Sequence, residues 1–425
     1  MIIPRRSMTI TLVLDDTQLL YWGNTEQLIE GVSHVEAIAI LDEFLGEDGE
    51  VLIEEPMKRA ILQRDLWALF DWSIRSRVWN SNETRENQLA LHKLALQKRL
   101  VAVMKRIALT AEQIKALSDN YSLAAQSRAY PREADTVESG APYLPPDLLN
   151  EETGPWVRIY GAGADWGAER HVRHMGGRSL FWVYLRTPGG REATWDYLVK
   201  LRDFGRPYEA ITLDRSADQS PRRLTSLLLT HTNVMESSEL PQFPEGSQAA
   251  LVEQALLIDD TGTIKPTRVT LKVQLRVFKD FEKRDPADPV YELRLYRRAL
   301  FARQSGGLVA MGVEDKVFPG FGMHDFDAFQ WRRNQSPNRG PSMMEALECT
   351  SCHGDNGIYS FNSRHRIIGL PGRSMPQQGL GRSTQSGPVS SDNPVPRSSD
   401  VNQAIHWKKQ QYSWGRLEGL WMNVE

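Results

Sequence analysis

The sequence predicts an α+β chain: a helical N-terminal region, a mostly antiparallel β/α middle domain, and a largely irregular C-terminal segment with a terminal helix. Three observations carry this. Apolar residues recur at helical spacing through the first third, the period changes to two between residues 153 and 325, and Pro, Gly and Ser displace regular patterning beyond residue 326. A chain of 425 residues exceeds the usual size of one domain. The composition shifts place a mainly helical region at 1–125, a Pro-rich linker at 126–152, an α+β domain at 153–325 and a cysteine-bearing C-terminal segment at 326–425.

Taken in order, residues 1–30 do not read as a secretory signal. Arg5 and Arg6 supply a charged start, but Asp15 and Asp16 fall where an uninterrupted apolar run belongs. Leu62, Leu66, Leu69 and Phe70 share one helical face. So do Leu89, Leu96, Leu100, Val103 and Ile107, with His92 expected as a core or boundary histidine on that face. Thr110-Ala-Glu-Gln113 fits a capping box that opens another short helix. From Asn120 to Asn150 periodicity fades and prolines gather, which predicts a linker or an irregular wrap.

In the middle region Leu180–Leu185 reads as a strand that ends at Pro188-Gly189-Gly190, and Arg191–Phe204 as a short amphipathic helix. Val269, Leu271, Val273, Leu275 and Val277 alternate with polar residues, the mark of a half-buried strand. The apolar run Leu251–Ile258 precedes them across Asp259-Asp260-Thr261-Gly262, which predicts a hairpin. Tyr291, Leu293 and Leu295 add a third strand. His171-Val-Arg-His174, among glycines, reads as loop with surface histidines. Further on, Pro341 opens a helical run from Ser342 to Glu348. Residues 371–399, of which 16 of 29 are Pro, Gly or Ser, predict a loop, and Asp400 is placed to cap a last helix carrying His406, Trp407, Tyr412 and Trp414.

Composition narrows function by exclusion. Hydrophobic residues make up 40% and charged residues 25%, which is globular. A net charge of −3 offers no basic field for nucleic acid, and no apolar run reaches the length of a membrane span. Two cysteines exclude a multi-disulfide scaffold and an all-cysteine zinc site.

Those two cysteines stand in Cys349-Thr350-Ser351-Cys352-His353, the spacing of covalent c-type haem attachment. Two thioethers to one macrocycle need thiols one helical turn apart, and the adjacent imidazole then faces the iron. Both thiols are consumed, so no stray cysteine remains. Other readings of the string stay open: a reducible dithiol, a small disulfide loop, and a zinc site in which Cys349, Cys352 and His365 have finger spacing without a fourth ligand.

The segment resembles c-type cytochromes. The resemblance implies one covalent haem c, with Cys349 and Cys352 at the thioether positions and His353 as proximal ligand to the iron. It also implies a distal ligand in a Met-Pro pair, for which Met375-Pro376 is similar, with His365 as the alternative. The whole chain resembles an uncharacterised bacterial group with a CxxCH near the C-terminus and an aromatic tail like His406–Gly415.

The sequence-based expectation is a mono-haem electron-transfer protein acting with a redox partner protein in the periplasm or otherwise outside the cytoplasm. It has no nucleic-acid role and no membrane span. An open sixth position would instead give a peroxidase-like enzyme or a small-ligand sensor, so catalysis is left open. A zinc or thiol site would give a non-haem interaction protein. From Gln330 onward Lys and Arg outnumber Asp and Glu by four, which suits an acidic partner.

Overall fold

The computed structural model describes residues 29, 31–75, 83–127, 129–131, 142–150, 153–159, 171–172, 176–202, 204, 208–210, 234–279, 290–311, 316–317, 344–345, 357–361 and 397–423. It has the mixed α+β architecture expected: helices first, a sheet with helices in the middle, and helices at the end.

The N-terminal helices are α1 (Val32–Gly46), α2 (Pro56–Arg75), α3 (Glu83–Arg106), α4 (Ala111–Lys115) and α5 (Asn120–Gln126). Helix α2 starts on a proline, which suits a first helical position, where the missing N–H would have no intrahelical partner. Helix α3 carries Glu83 and Glu86 in its first turn and Lys105 and Arg106 in its last, both favourable to the helix dipole. Its predicted stripe, Leu89, Leu96, Leu100, Val103 and Ile107, is buried. His92 departs from expectation: it is exposed, in a T-shaped contact with His34 of α1, with ring centroids 5.0 Å apart. The capping box forms as read, with Gln113 N donating to Thr110 Oγ1 at 3.2 Å and Thr110 N to Gln113 Oε1 at 2.9 Å.

The middle contains β1 (Val157–Ile159), β2 (Ser179–Arg186), α6 (Gly190–Arg202), β3 (Tyr208–Ala210), β4 (Val234–Glu236), β5 (Gln248–Ile258), β6 (Ile264–Val277), β7 (Val290–Leu295), α7 (Arg297–Phe301) and β8 (Leu308–Met311). Six strands form one antiparallel sheet in the order β1-β2-β5-β6-β7-β8, and β3 pairs with β4. The predicted hairpin is β5–β6. Asp259 Oδ1 accepts from Thr263 N at 2.8 Å and Thr261 N at 3.1 Å, and Gly262 takes the positive φ of 81° that the turn needs.

Register separates the faces. Trp182, Val252, Val273 and Leu293 are cross-strand neighbours, as are Tyr184, Ala250, Leu275 and Tyr291, and all eight lie in the main core. Each fully buried aliphatic side chain there contributes roughly 1.5–3 kcal/mol. Residues 142–150 wrap as irregular backbone that sends Tyr143, Leu144 and Leu148 into this core. A second cluster forms where Tyr197, Leu198 and Leu201 of α6 meet Val157, Ile159 and Leu185.

Two side-chain amides from the helices complete the sheet backbone. The β5–β6 register slips between Glu253 and Leu256, and near that bulge Thr270 N donates to Asn120 Oδ1 at 2.7 Å while Asn120 Nδ2 donates to Thr270 O at 2.9 Å. Gln63 does the same for Ile258, donating to its carbonyl at 2.8 Å and accepting from its N–H at 2.9 Å.

At the C-terminal side are β9 (Lys316–Val317), β10 (Met344–Glu345), α8 (Ile358–Phe361), α9 (Arg397–Lys409) and α10 (Tyr412–Asn423). Two expectations change here. Met344 and Glu345 pair with Val317 and Lys316 as a short bridge where a helical run was predicted, since a strand partner overrides local spacing. The single terminal helix is two helices broken at Gln410–Gln411, and Asp400 lies inside the first turn of α9 instead of capping it. Ala404, Trp414, Leu417 and Trp421 enter the same core as Trp67, Phe70 and Leu100, so both ends of the chain share one interior. Among the described residues no helix is long and apolar enough to cross a membrane.

Candidate functional site

Cys349, Cys352 and His353, together with Met375 and His365, lie outside the described residues. The chain on either side of the cysteine string is described. Glu345, four residues before Cys349, ends the bridge with Lys316. Gly357, four residues after His353, opens α8, and covalent reach alone keeps the two Cα atoms within about 14 Å of each other.

Helix α8 is only four residues long, too short to be stable by itself, and is held by tertiary contacts. Ile358 is fully buried against Leu198, Leu240, Phe243 and Phe278. Gln242 Oε1 accepts two backbone N–H groups, Ile358 at 2.8 Å and Phe243 at 2.9 Å. The Tyr359 hydroxyl donates to the carbonyls of Ser237 and Ser238 at 3.1 and 3.2 Å, and Ser360 Oγ donates to Gly357 O at 2.7 Å. Gly357 has a φ of 53°, and a methyl there would overlap the Gln242 amide, so glycine is required on two counts. Rings stack away from this point: Tyr197 on Phe243 at 5.4 Å, and Phe243 on Phe278 at 4.7 Å.

A charge network lies on the sheet face opposite Trp182, Val252, Val273 and Leu293. Phe181, Glu253, Lys272 and Arg294 are neighbours across β2, β5, β6 and β7, and Leu251, Gln274 and Glu292 form the adjacent row. Arg64 of α2 donates to Ser179 Oγ at 2.8 Å and Glu253 Oε1 at 3.3 Å, and Ser179 Oγ donates to the same carboxylate at 2.8 Å. Lys272 stands 3.8 Å from Glu253, Gln274 donates to Glu292 at 2.7 Å, and Arg294 pairs with Glu292. Burial pulls the Arg64 guanidinium below its ordinary value, with Glu253 opposing and the nearby Arg178 reinforcing the shift. Ser179 both accepts from a cation and donates to a carboxylate, so its hydroxyl is occupied in joining α2 to β2 and β5. This row is cross-strand adhesion.

A third polar centre joins the chain ends. Asp71 Oδ2 of α2 receives Lys408 Nζ at 2.5 Å and Arg178 Nη1 at 2.6 Å. Lys408 is 0% exposed and stands 5.3 Å over the Trp67 ring. Gly177, with φ at 71°, lies beneath it, and an added methyl would come within 2.9 Å of Trp407 and 3.1 Å of Lys408.

Among the described residues no group of three or more His, Cys, Asp or Glu is arranged to hold a metal ion. His171 stacks on Phe181 at 5.5 Å. By composition the cysteine string would suit a c-type haem, with two thiols for two thioethers and an adjacent imidazole for the iron. Sequence reasoning did not find Gln242 or the α8 anchor, because a lone glutamine 116 residues from its partner leaves no local signal. Comparison with known proteins finds no matching family model, no matching curated protein and no matching solved structure.

Proposed function

We propose that this is a mono-haem c-type protein that transfers electrons outside the cytoplasm to a redox partner protein. The observation that carries the reading is the string itself: both cysteines of a 425-residue chain fall at attachment spacing with a histidine next in line. In this reading Cys349 and Cys352 would hold the macrocycle, and His353 together with Met375, or alternatively His365, would bind the iron. Covalent haem supplies a one-electron couple, and a methionine ligand sets it at higher potential than a second histidine would. The excess of Lys and Arg after residue 330 suits an acidic partner surface.

The test is co-expression of the full chain with a bacterial haem-attachment system, followed by a pyridine haemochrome assay. The expected result is one covalent haem per chain, lost in Cys349→Ser/Cys352→Ser. A chain that stays colourless under competent maturation overturns the reading. Carbon monoxide then separates transfer from the enzyme or sensor alternative: a six-coordinate reduced form that resists CO supports electron transfer, and ready CO binding refutes it. Met375→Ala should convert a CO-resistant protein into a CO-binding one, and an unchanged spectrum assigns the distal position elsewhere.

A further inference from the structure

We propose that Gln242 is a positioning residue that, through α8, fixes where the polypeptide carrying Cys349, Cys352 and His353 joins the folded body. Every contact involved lies on described residues. One amide oxygen accepts from both Phe243, in its own loop, and Ile358, the first residue of α8. A side chain so placed ties two segments that are 115 positions apart at one atom. Gly357 leaves room for nothing but that amide. Ile358 below it is buried in the second cluster, and Tyr359 is tethered to Ser237 and Ser238, so α8 can neither slide nor rotate without breaking several bonds. His353 stands four residues upstream in the sequence, a separation that extended chain spans in about 14 Å.

A protein that binds two thiols and one imidazole to a rigid macrocycle gains from presenting them in a fixed place, because ordering them later costs conformational entropy. The inference rests on the proposed haem reading for what the string holds. The clasp can be measured without it.

The experiment compares the full-length parent with Gln242→Leu, Gln242→Glu and Gly357→Ala. Haem-free chains are examined by amide hydrogen exchange and by the rate at which Cys349 and Cys352 react with a maleimide. Each is also matured with haem to measure covalent yield. Loss of both hydrogen bonds should speed exchange at Ile358 and Phe243 by about tenfold or more in Gln242→Leu. Labelling of the two thiols should change by at least about threefold, and haem yield should fall, while the main sheet keeps its exchange protection. Gln242→Glu retains an oxygen that accepts both N–H groups and should stay close to the parent. Gly357→Ala, made on the other side of the clasp, should reproduce Gln242→Leu.

The proposal is overturned if exchange at Ile358 does not respond to Gln242→Leu. It is equally overturned if exchange is released while thiol labelling and haem yield stay at parental values. If the parent chain takes up no haem yet its thiol labelling depends on Gln242, the haem reading fails and the clasp stands. If haem is attached equally in all four proteins, the reverse holds.

Discussion

At the scale of single residues, the buried triad of Asp71, Lys408 and Arg178 has a pH signature. Burial pushes the Asp71 carboxyl up, but Lys408 and Arg178 outweigh it and hold the group below the ordinary carboxylate value. A carboxyl with a depressed folded pKa contributes its stability above the unfolded pKa of about 4 and loses it as pH falls through the folded value. Urea midpoints should hold down to about pH 4 and then decline. Asp71→Asn should flatten that decline and cost about 3–5 kcal/mol at neutral pH, because two buried cations lose their shared counter-ion. Lys408→Met keeps one cation on the carboxylate and should cost less. Asn120 makes a second prediction: Asn120→Ala leaves the Thr270 N–H and the carbonyls of Thr270 and Gly306 without that partner, at about 2–4 kcal/mol. Asn120→Asp should be no better, since its carboxylate would face two carbonyls, and faster exchange at the Thr270 amide reports both.

At the scale of elements, Thr110→Ala should lower stability by about 1 kcal/mol through loss of the capping box. Gly177→Ala should do more, because the methyl meets α9 and the backbone is left-handed there, and equal thermal midpoints for the two variants would contradict the tight seat of α9. Elements with a single exposed side were legible in the sequence. The alternation in β6 and the stripe of α3 exist because one face meets water. Helix α2 was only partly legible. Besides Phe70, it buries Trp67, Gln63, Arg64, Asp71 and Ser73, which mix polar and apolar side chains over about half its circumference, so no clean apolar stripe marks its buried side. The break between α9 and α10 was missed because Gln410 and Gln411 are good helix formers, and the turn there follows from packing Trp414 onto Trp67 with ring centroids 5.9 Å apart. The Cys349-x-x-Cys352-His353 string was legible because the reading rests on fixed local spacing alone. The anchor that follows it was not, because hydrogen bonds across more than 100 residues leave no periodicity.

At the scale of the molecule, Lys105 of α3 donates to the Trp421 carbonyl at 3.2 Å and Lys408 reaches Asp71, so the first and last helices enclose one interior. Unfolding followed by tryptophan fluorescence and by far-ultraviolet circular dichroism should give coincident transitions. A chain ending before residue 397 should expose Trp67 and lose its cooperative transition. The same wholeness bears on Gln63. Strand β5 runs three residues past its last partner on β2, the pairing of Ser179 with Ala255. The overhang Leu256-Leu257-Ile258 is apolar, β-prone and uncharged, the kind of edge on which a second chain can nucleate a fibril. It offers no such template: Leu256 N–H is taken by Arg178 O at 2.9 Å, both backbone groups of Ile258 by Gln63, and Asp260 N–H by Leu109 O at 3.0 Å. Gln63→Leu would keep the volume and the burial but leave the buried N–H and carbonyl of Ile258 without that partner, at about 2–4 kcal/mol. Its signature should be a lower urea midpoint and faster exchange at the Ile258 amide, so that one glutamine on a helix finishes a strand that its neighbour leaves three residues short.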